Sequence, residues 1–133
     1  MGRKNYLIDT NITIYYFGLL LSKKSEIFID DIVKDNYYIS VVNRIELLGN
    51  KGIETKEQMA LNSFINNAVV INMEEEIILK TIEIRKIHSI KLPDAIIAAT
   101  CLAYNFQLIT NNTKDFIKID GLKTVQVKLS TNN

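Results

Sequence analysis

Hydrophobic and polar positions along the chain alternate between short β-branched runs and longer periodic stretches. Short runs rich in isoleucine, valine and tyrosine predict strands, and longer stretches with apolar residues three or four positions apart predict helices. The predicted strands are residues 5–8, 37–41, 68–72, 107–110 and 124–128. The predicted helices are residues 12–21, 26–35, 43–50, 56–67, 74–88 and 93–106. Because strands separated by helices pair in parallel through right-handed crossovers, the pattern predicts an α/β fold, a three-layer sandwich with a central, mostly parallel β-sheet flanked by helices.

The composition is that of an ordinary globular protein. The 133 residues are 47% hydrophobic and 23% charged, which predicts one domain over residues 1–133. The net charge of +1 shows no strongly basic nucleic-acid binder in the total, although a local basic patch is compatible with it. One cysteine, Cys101, can form neither an internal disulfide nor a cysteine-rich zinc site. This favours a reducing compartment, and we expect a cytoplasmic protein.

The N-terminal segment does not have the pattern of a signal peptide or a membrane anchor. Positive charge precedes the apolar run 12–21, but Asp9, Thr10 and Asn11 interrupt the apolar part and no clear small-residue cleavage site follows. The run is also shorter than the about 20 apolar residues that a membrane-spanning helix needs. We therefore expect no contact with a membrane.

Polar side chains follow the predicted strands at one edge of the predicted sheet. Ligands of open parallel sheets bind beyond the carboxyl ends of the strands, so these side chains are candidates for a site. Asp94 stands at the head of the predicted helix 93–106, which is almost wholly apolar from Ala95 to Tyr104. The other candidates are Asp9 after the first strand, Glu46 in the helix after the second, and Asn112 and Asp115 after strand 107–110.

Each acidic residue also has a purely structural interpretation. Asp9 is a good N-cap for a helix that starts near Asn11. Asn43 and Glu46 have the spacing of a capping box. Asp94 follows Pro93, and an acid in the first turn suits the helix dipole. The remaining acid, in the segment "NNTKDF", has the pattern of a solvated loop residue.

Taken together, the structural interpretations are less satisfactory. Carboxylates about 5 Å apart repel one another by about 3 kcal/mol per pair at an effective dielectric constant near 20. A helix N-terminus stabilises an exposed carboxylate by only about 0.3–1 kcal/mol. A cluster of Asp9, Glu46 and Asp94 would therefore need shared protons or a divalent cation, and oxygen ligands suit Mg²⁺ or Mn²⁺ rather than zinc.

Three segments resemble the PIN-domain family, and within it the VapC-type toxins of bacterial toxin–antitoxin modules. They are "YLIDTNITIYYF", "IELLG" and "LPDAIIAATCLAYNFQLITNNTKDF", and the resemblance covers essentially the whole chain. The family's acidic residues match Asp9, Glu46 and Asp94. At the fourth position Asn112 stands where some members carry an acid, and Asp115 follows three residues later. A further departure is Asn43, where many members have serine or threonine.

The resemblance implies a PIN-like fold and a metal-dependent endoribonuclease that acts as the toxin of a toxin–antitoxin pair. It implies Mg²⁺ (or Mn²⁺) as cofactor, and an RNA substrate, a protein antitoxin and a second copy of the chain as partners. The residues it assigns to catalysis and metal binding are Asp9, Glu46, Asp94 and Asp115, with support from Asn11, Thr110 and Asn112. The cations Arg44, Lys114 and Lys118 are close enough in sequence to contact flanking phosphates.

Two other functions are compatible with the residues. A non-catalytic PIN-fold interaction module would keep the acids as helix caps, and Asn112 in place of an acid favours it. A phosphatase of the haloacid-dehalogenase type is a weaker alternative, based on a loose match of "LIDTNIT" to its nucleophile motif. There the second acid would be Asn11, whose amide cannot act as a general acid.

Overall fold

The computed structural model describes residues 4–52 and 55–131, and within them five strands form one sheet. The strands are β1 (Tyr6–Ile8), β2 (Tyr38–Ser40), β3 (Val69–Ile71), β4 (Gln107–Ile109) and β5 (Lys123–Val125). They lie in the order β3-β2-β1-β4-β5, and every neighbouring pair is parallel. The predicted α/β fold with a parallel sheet is confirmed, and all five predicted strands are present. Four have narrower bounds than predicted, whereas β5 begins one residue earlier and ends three residues earlier than the predicted 124–128.

Seven helices flank the sheet in the described part of the chain. They are α1 (Thr10–Phe17), α2 (Lys23–Val33), α3 (Val41–Leu48), α4 (Thr55–Asn67), α5 (Glu75–Ile87), α6 (Leu92–Tyr104) and α7 (Thr113–Phe116). None of the helices in these ranges is long and apolar enough to cross a membrane. The four-residue α7 was not predicted, because one turn is too short to show a helical period.

The first predicted helix, 12–21, is too long at its C-terminal end. Helix α1 ends at Gly18, and α2 begins after Ser22, whose hydroxyl accepts a hydrogen bond of 3.2 Å from the Ser25 amide. Between them Leu21 forms an antiparallel bridge with Leu129. Of the apolar residues that continue the helical pattern, Leu21 is therefore buried beside the C-terminal segment, whereas Leu19 and Leu20 are exposed.

Two hydrophobic cores lie on opposite faces of the sheet, which makes the three layers. Leu7 and Leu108 point into the core under α5, α6 and α7, whereas Ile8 and Ile109 point into the core under α1 to α4. This alternation follows from the two-residue period of a strand. Helix α6 is buried from Ala95 to Cys101, as its apolar sequence predicts, so it is held firmly on one face.

The order of the strands defines a switch point at the carboxyl end of β1. The chain adds β2 and β3 on one side of β1 and then returns to add β4 and β5 on the other side. Where the strand order reverses, the loops diverge and leave space beyond the strand ends, which is the usual ligand position in open α/β sheets. Asp9 directly follows β1, and Thr110 directly follows β4.

Candidate active site

Asp9 lies at the switch point between β1 and β4 and is held from several directions. It is 5% exposed, and it is the N-cap of α1, where Oδ1 accepts a hydrogen bond of 2.9 Å from the Thr10 amide. Oδ2 accepts a hydrogen bond of 2.7 Å from the Thr110 hydroxyl. The amide of Asn43 donates a longer one, 3.4 Å, to Oδ1. The capping role is confirmed, but most of these contacts go beyond a cap.

Burial sets the ionisation of Asp9. Loss of solvent raises the pKa of Asp9 above its ordinary value, and the charge of Glu46 raises it further. Hydrogen bonds from Thr110, Thr10 and Asn43 lower the same pKa and offset part of the cost of burial. A buried carboxylate kept in place by donors, with raised pKa, is typical of a functional site.

Glu46 reaches the site from α3 and is not part of a capping box. Ser40 caps α3, and the capping box is completed by Asn43, so the predicted pairing of Asn43 as the cap with Glu46 is wrong. Glu46 lies one turn further along the helix and is exposed. Its Oε1 accepts a hydrogen bond of 2.6 Å from the Thr10 hydroxyl, which ties α3 to the start of α1.

Asp94 is the third residue of α6, which begins at Leu92. Pro93 is therefore the second helical residue rather than the first, and the N-cap, Lys91, makes no side-chain capping bond. Partial burial raises the pKa of Asp94 to about 6, and the charges of three other carboxylates contribute, in the order Asp9, Asp115 and Glu46. The other three acidic residues therefore lie within electrostatic range of Asp94, although the four come from separate segments of the chain.

Asn112 and Asp115 form the fourth corner together. The Asn112 backbone amide donates a hydrogen bond of 3.1 Å to the Thr110 hydroxyl, and its side-chain amide donates one of 3.2 Å to Asp115 Oδ2. Asp115 is on α7, and its charge acts on Asp94. Asn112 thus connects the acid of α7 to Thr110, and through it to Asp9.

The oxygen atoms of the four acidic side chains are the kind of ligand that a hard divalent cation prefers. All four charged groups are carboxylates, and oxygen ligands suit Mg²⁺ or Mn²⁺. Asn11, on the first turn of α1, has a buried Oδ1 that lacks a hydrogen-bond partner within the described residues. In residues 4–52 and 55–131 no group of three or more histidine, cysteine or acidic side chains lies close enough to hold a metal ion as the side chains stand. Glu46 and Asp115 are instead engaged by Thr10 and Asn112.

Two residues of this network, Thr10 and Asn43, were not assigned to the site from the sequence. Thr10 follows Asp9 directly, so its position in "DTN" was the available signal. Asn43 was interpreted as a cap, because its contact with Thr10 joins residues 33 positions apart and no local pattern reveals it. Both are polar groups that touch predicted site residues.

Fold and site together define a class of protein: a parallel α/β protein with acidic side chains gathered beyond the carboxyl end of its central strand. The model of the PIN-domain family matches residues 6–122, and the chain belongs to the PIN-domain family. The PIN-like fold expected from the sequence is confirmed. A comparison with curated proteins gives no match.

The chain is also similar to solved structures of toxin–antitoxin proteins. The chain is similar to a toxin–antitoxin complex from Klebsiella pneumoniae, with 30% identity and a TM-score of 0.74 over 91% of this chain and 96% of that one. It is similar to VapBC2 from Rickettsia felis, bound to a DNA fragment from its promoter, at 26% identity and TM-score 0.75 over 91% and 97% of the two chains. It is also similar to VapBC-1 from nontypeable Haemophilus influenzae, at 27% identity and a TM-score of 0.72 over 91% of this chain and 96% of that one. The predicted resemblance to VapC toxins is confirmed.

Proposed function

We propose that the protein is a metal-dependent endoribonuclease that acts as the toxin of a toxin–antitoxin pair. The observation that carries the proposal is the gathering of Asp9, Glu46, Asp94 and Asp115 at the switch point of a PIN fold, where partial burial and then the other three charges raise the pKa of Asp94. Structural roles alone do not account for this gathering, because only Asp9 makes a capping hydrogen bond.

The four carboxylates would hold Mg²⁺ or Mn²⁺, with Asp9 and Asp94 as the principal ligands. A bound divalent cation supplies positive charge against the phosphodiester and acidifies water, which is the chemistry that RNA hydrolysis requires. Thr110 fixes one oxygen of Asp9 and leaves that carboxylate a single orientation. Asn112 does the same for Asp115. Helix α6, buried from Ala95 to Cys101, gives Asp94 a rigid support, as a precisely placed ligand needs.

RNA is a polyanion, so cations beside the acidic cluster would guide its backbone. Lys91 lies close enough to Asp94 to lower the pKa of that carboxyl group. Lys118 donates a hydrogen bond of 2.8 Å from Nζ to the Ser89 carbonyl, which joins the end of α7 to the loop before α6. Arg44 and Lys114 are exposed on α3 and α7. These side chains would contact phosphates on either side of the cleaved bond.

The partners are proposed from the related structures. The complexes from Klebsiella pneumoniae, Rickettsia felis and Haemophilus influenzae pair a toxin with an antitoxin, and this chain covers 96–97% of each matched chain. By analogy, we propose that this protein binds a cognate protein antitoxin. From the family resemblance and the sequence we further propose a homodimer and a cytoplasmic location.

Controlled expression in a bacterial host, followed by sequencing of RNA 5′ ends, tests the proposed function. Wild-type protein is expected to arrest growth and to create new RNA ends within minutes, and Asp94→Asn is expected to do neither at equal protein level. Glu75→Gln, an exposed acid in the first turn of α5, is the matched control and should behave as wild type. Growth arrest by Asp94→Asn, or no new RNA ends with the wild type, would contradict the proposal.

A non-catalytic interaction module is the second candidate, because no three acidic side chains in the described ranges lie at metal-ligand distance and Asn112 replaces an acid. Titration calorimetry with Mn²⁺ on protein freed of antitoxin separates the two. Heat of binding that is lost in Asp94→Asn supports the enzyme. No binding, together with an unchanged melting temperature on adding Mn²⁺, supports the module. Membership of the PIN-domain family argues against the phosphatase alternative.

A further inference from the structure

Asn43 is a fully buried polar residue at the contact between α1 and α3. It is 0% exposed, and its Oδ1 accepts a hydrogen bond of 2.8 Å from the Ser40 backbone amide. A backbone N–H can only donate, so the atom that faces it must be the carbonyl oxygen of the Asn43 side chain. The orientation of the amide is therefore fixed, and its NH₂ group faces the acidic cluster.

The NH₂ group makes two contacts there. It donates a hydrogen bond of 3.0 Å to the Thr10 hydroxyl and one of 3.4 Å to Asp9 Oδ1. Because an amide nitrogen cannot accept, the Thr10 hydroxyl must direct its own proton elsewhere. That proton goes to Glu46 Oε1, 2.6 Å away. One amide thus sets the direction of a hydroxyl, which in turn holds a carboxylate.

We propose that Asn43 is a positioning residue, whose amide holds Asp9 directly and Glu46 through the Thr10 hydroxyl. The proposal rests on the proposed function, and it adds a residue that acts on two acids without touching metal or RNA. Only an amide can do this at the site, because it offers one acceptor and two protons to three partners. A serine or threonine at this position has one proton and would leave Thr10 or Asp9 without a donor.

A purely structural role predicts a different outcome. If Asn43 only caps α3, the relevant bond is the one from Ser40, and Thr10 is irrelevant to it. Thr10→Val removes the hydroxyl at nearly equal volume and leaves both the cap and Asn43 in place. Thr10→Ser keeps the hydroxyl and serves as the conservative variant. Thr81→Val is the control, since it removes a buried hydroxyl that bonds a helix carbonyl on α5.

The experiment is a double-mutant cycle of Asn43→Ala and Thr10→Val, with Mn²⁺ affinity measured by calorimetry and RNA cleavage measured as kcat and KM. Residues that orient metal ligands typically contribute 10–100-fold, so we expect each single variant to lose about 10-fold or more in Mn²⁺ affinity or kcat. The KM for RNA should stay within about 2-fold, because the RNA contacts are intact. The double variant should be no worse than Asn43→Ala, since both changes break one chain of bonds. Thr10→Ser should restore most of the loss.

The outcomes separate the two proposals. Additive losses, a Thr10→Val variant equal to wild type, or the same loss in Thr81→Val would overturn the positioning role. If Asn43→Ala does not fold, the contrast between Thr10→Val and Thr10→Ser decides. Wild-type protein that binds Mn²⁺ but cleaves no RNA contradicts the proposed function alone, and the calorimetric cycle still decides for Asn43. Wild-type protein that neither binds Mn²⁺ nor cleaves RNA overturns both.

Discussion

Asp94→Asn is expected to make the metal-free protein more stable at neutral pH, although it removes an acid from the first turn of a helix. The charge of Asp94 is disfavoured by partial burial and by Asp9, Asp115 and Glu46. Asparagine has nearly the same shape and no charge, so the repulsion disappears and the packing of α6 does not change. A carboxylate that destabilises its own fold is the expected sign of a site arranged for a cation.

The size of the effect follows from the pKa. Asp94 has a pKa of about 6 in the folded protein, against an ordinary value of 3.8. Between these values the folded protein binds more protons than the unfolded chain, so wild-type stability falls as the pH rises from about 4 to about 6. The difference corresponds to about 3 kcal/mol for a buried group, but water screens much of the repulsion at this partly exposed carboxyl, and we expect about 1 kcal/mol. Asp94→Asn removes this loss, so its advantage is present at pH 7 and absent at pH 4.

Urea unfolding in EDTA at pH 4, 5, 6 and 7 measures this difference. Glu75→Gln is the matched control, because Glu75 also lies in the first turn of a helix but outside the cluster. Its expected effect has the opposite sign, a loss of about 0.3–1 kcal/mol at pH 7 from the helix dipole. Adding Mg²⁺ should stabilise the wild type and not Asp94→Asn. A pH-independent difference, or a loss of stability in Asp94→Asn at pH 7, would refute the reasoning.

Three further predictions test the surroundings of the site by urea unfolding. Thr110→Val removes the hydroxyl that donates to buried Asp9 and should lower the free energy of unfolding by about 1–3 kcal/mol at pH 7. Thr100→Val, the control, removes a hydroxyl that bonds a helix carbonyl and should lower it less, so equal losses would contradict the role of Thr110. Tyr37→Phe removes a buried hydrogen bond of 2.6 Å to a backbone carbonyl and should cost about 0.5–1.5 kcal/mol, with Mn²⁺ affinity unchanged; a change in that affinity would count against a purely structural role. Ile97→Ala, 1% exposed on α6, should cost about 2–5 kcal/mol, and a loss under about 1 kcal/mol would show that α6 is not a rigid support.

Much of the fold follows from local sequence patterns. The apolar stretch from Ala95 to Cys101 is buried because no face of it can stay in water without cost, and the alternating strand residues divide between two cores. The gathering of acids at one sheet edge could be expected because parallel strands align their carboxyl ends. Contacts between distant segments that override a local pattern could not be predicted. Leu21 continues a helical pattern but pairs with Leu129, more than a hundred residues away.

The details of the site depend on contacts between distant segments. Asn43 has the local pattern of a cap, and its role near Asp9 appears only when α3 packs beside α1. The same packing brings the Thr10 hydroxyl to Glu46, 36 residues away. A pattern within a few residues contains no information on such pairs. The acidic residues were therefore identifiable from the sequence, together with Thr110 and Asn112, which hold Asp9 and Asp115. Thr10 and Asn43, which join α1 to α3, were not.

RNA cleavage by the purified protein, freed of any antitoxin, tests the central claim most directly. Total RNA and a purified tRNA pool would be incubated with wild type and Asp94→Asn, each in Mg²⁺, in Mn²⁺ and in EDTA. We predict discrete fragments with the wild type in either metal, none in EDTA, and none with Asp94→Asn in any buffer. Wild-type protein that leaves all RNA intact, or fragments that persist in EDTA or with Asp94→Asn, would contradict it.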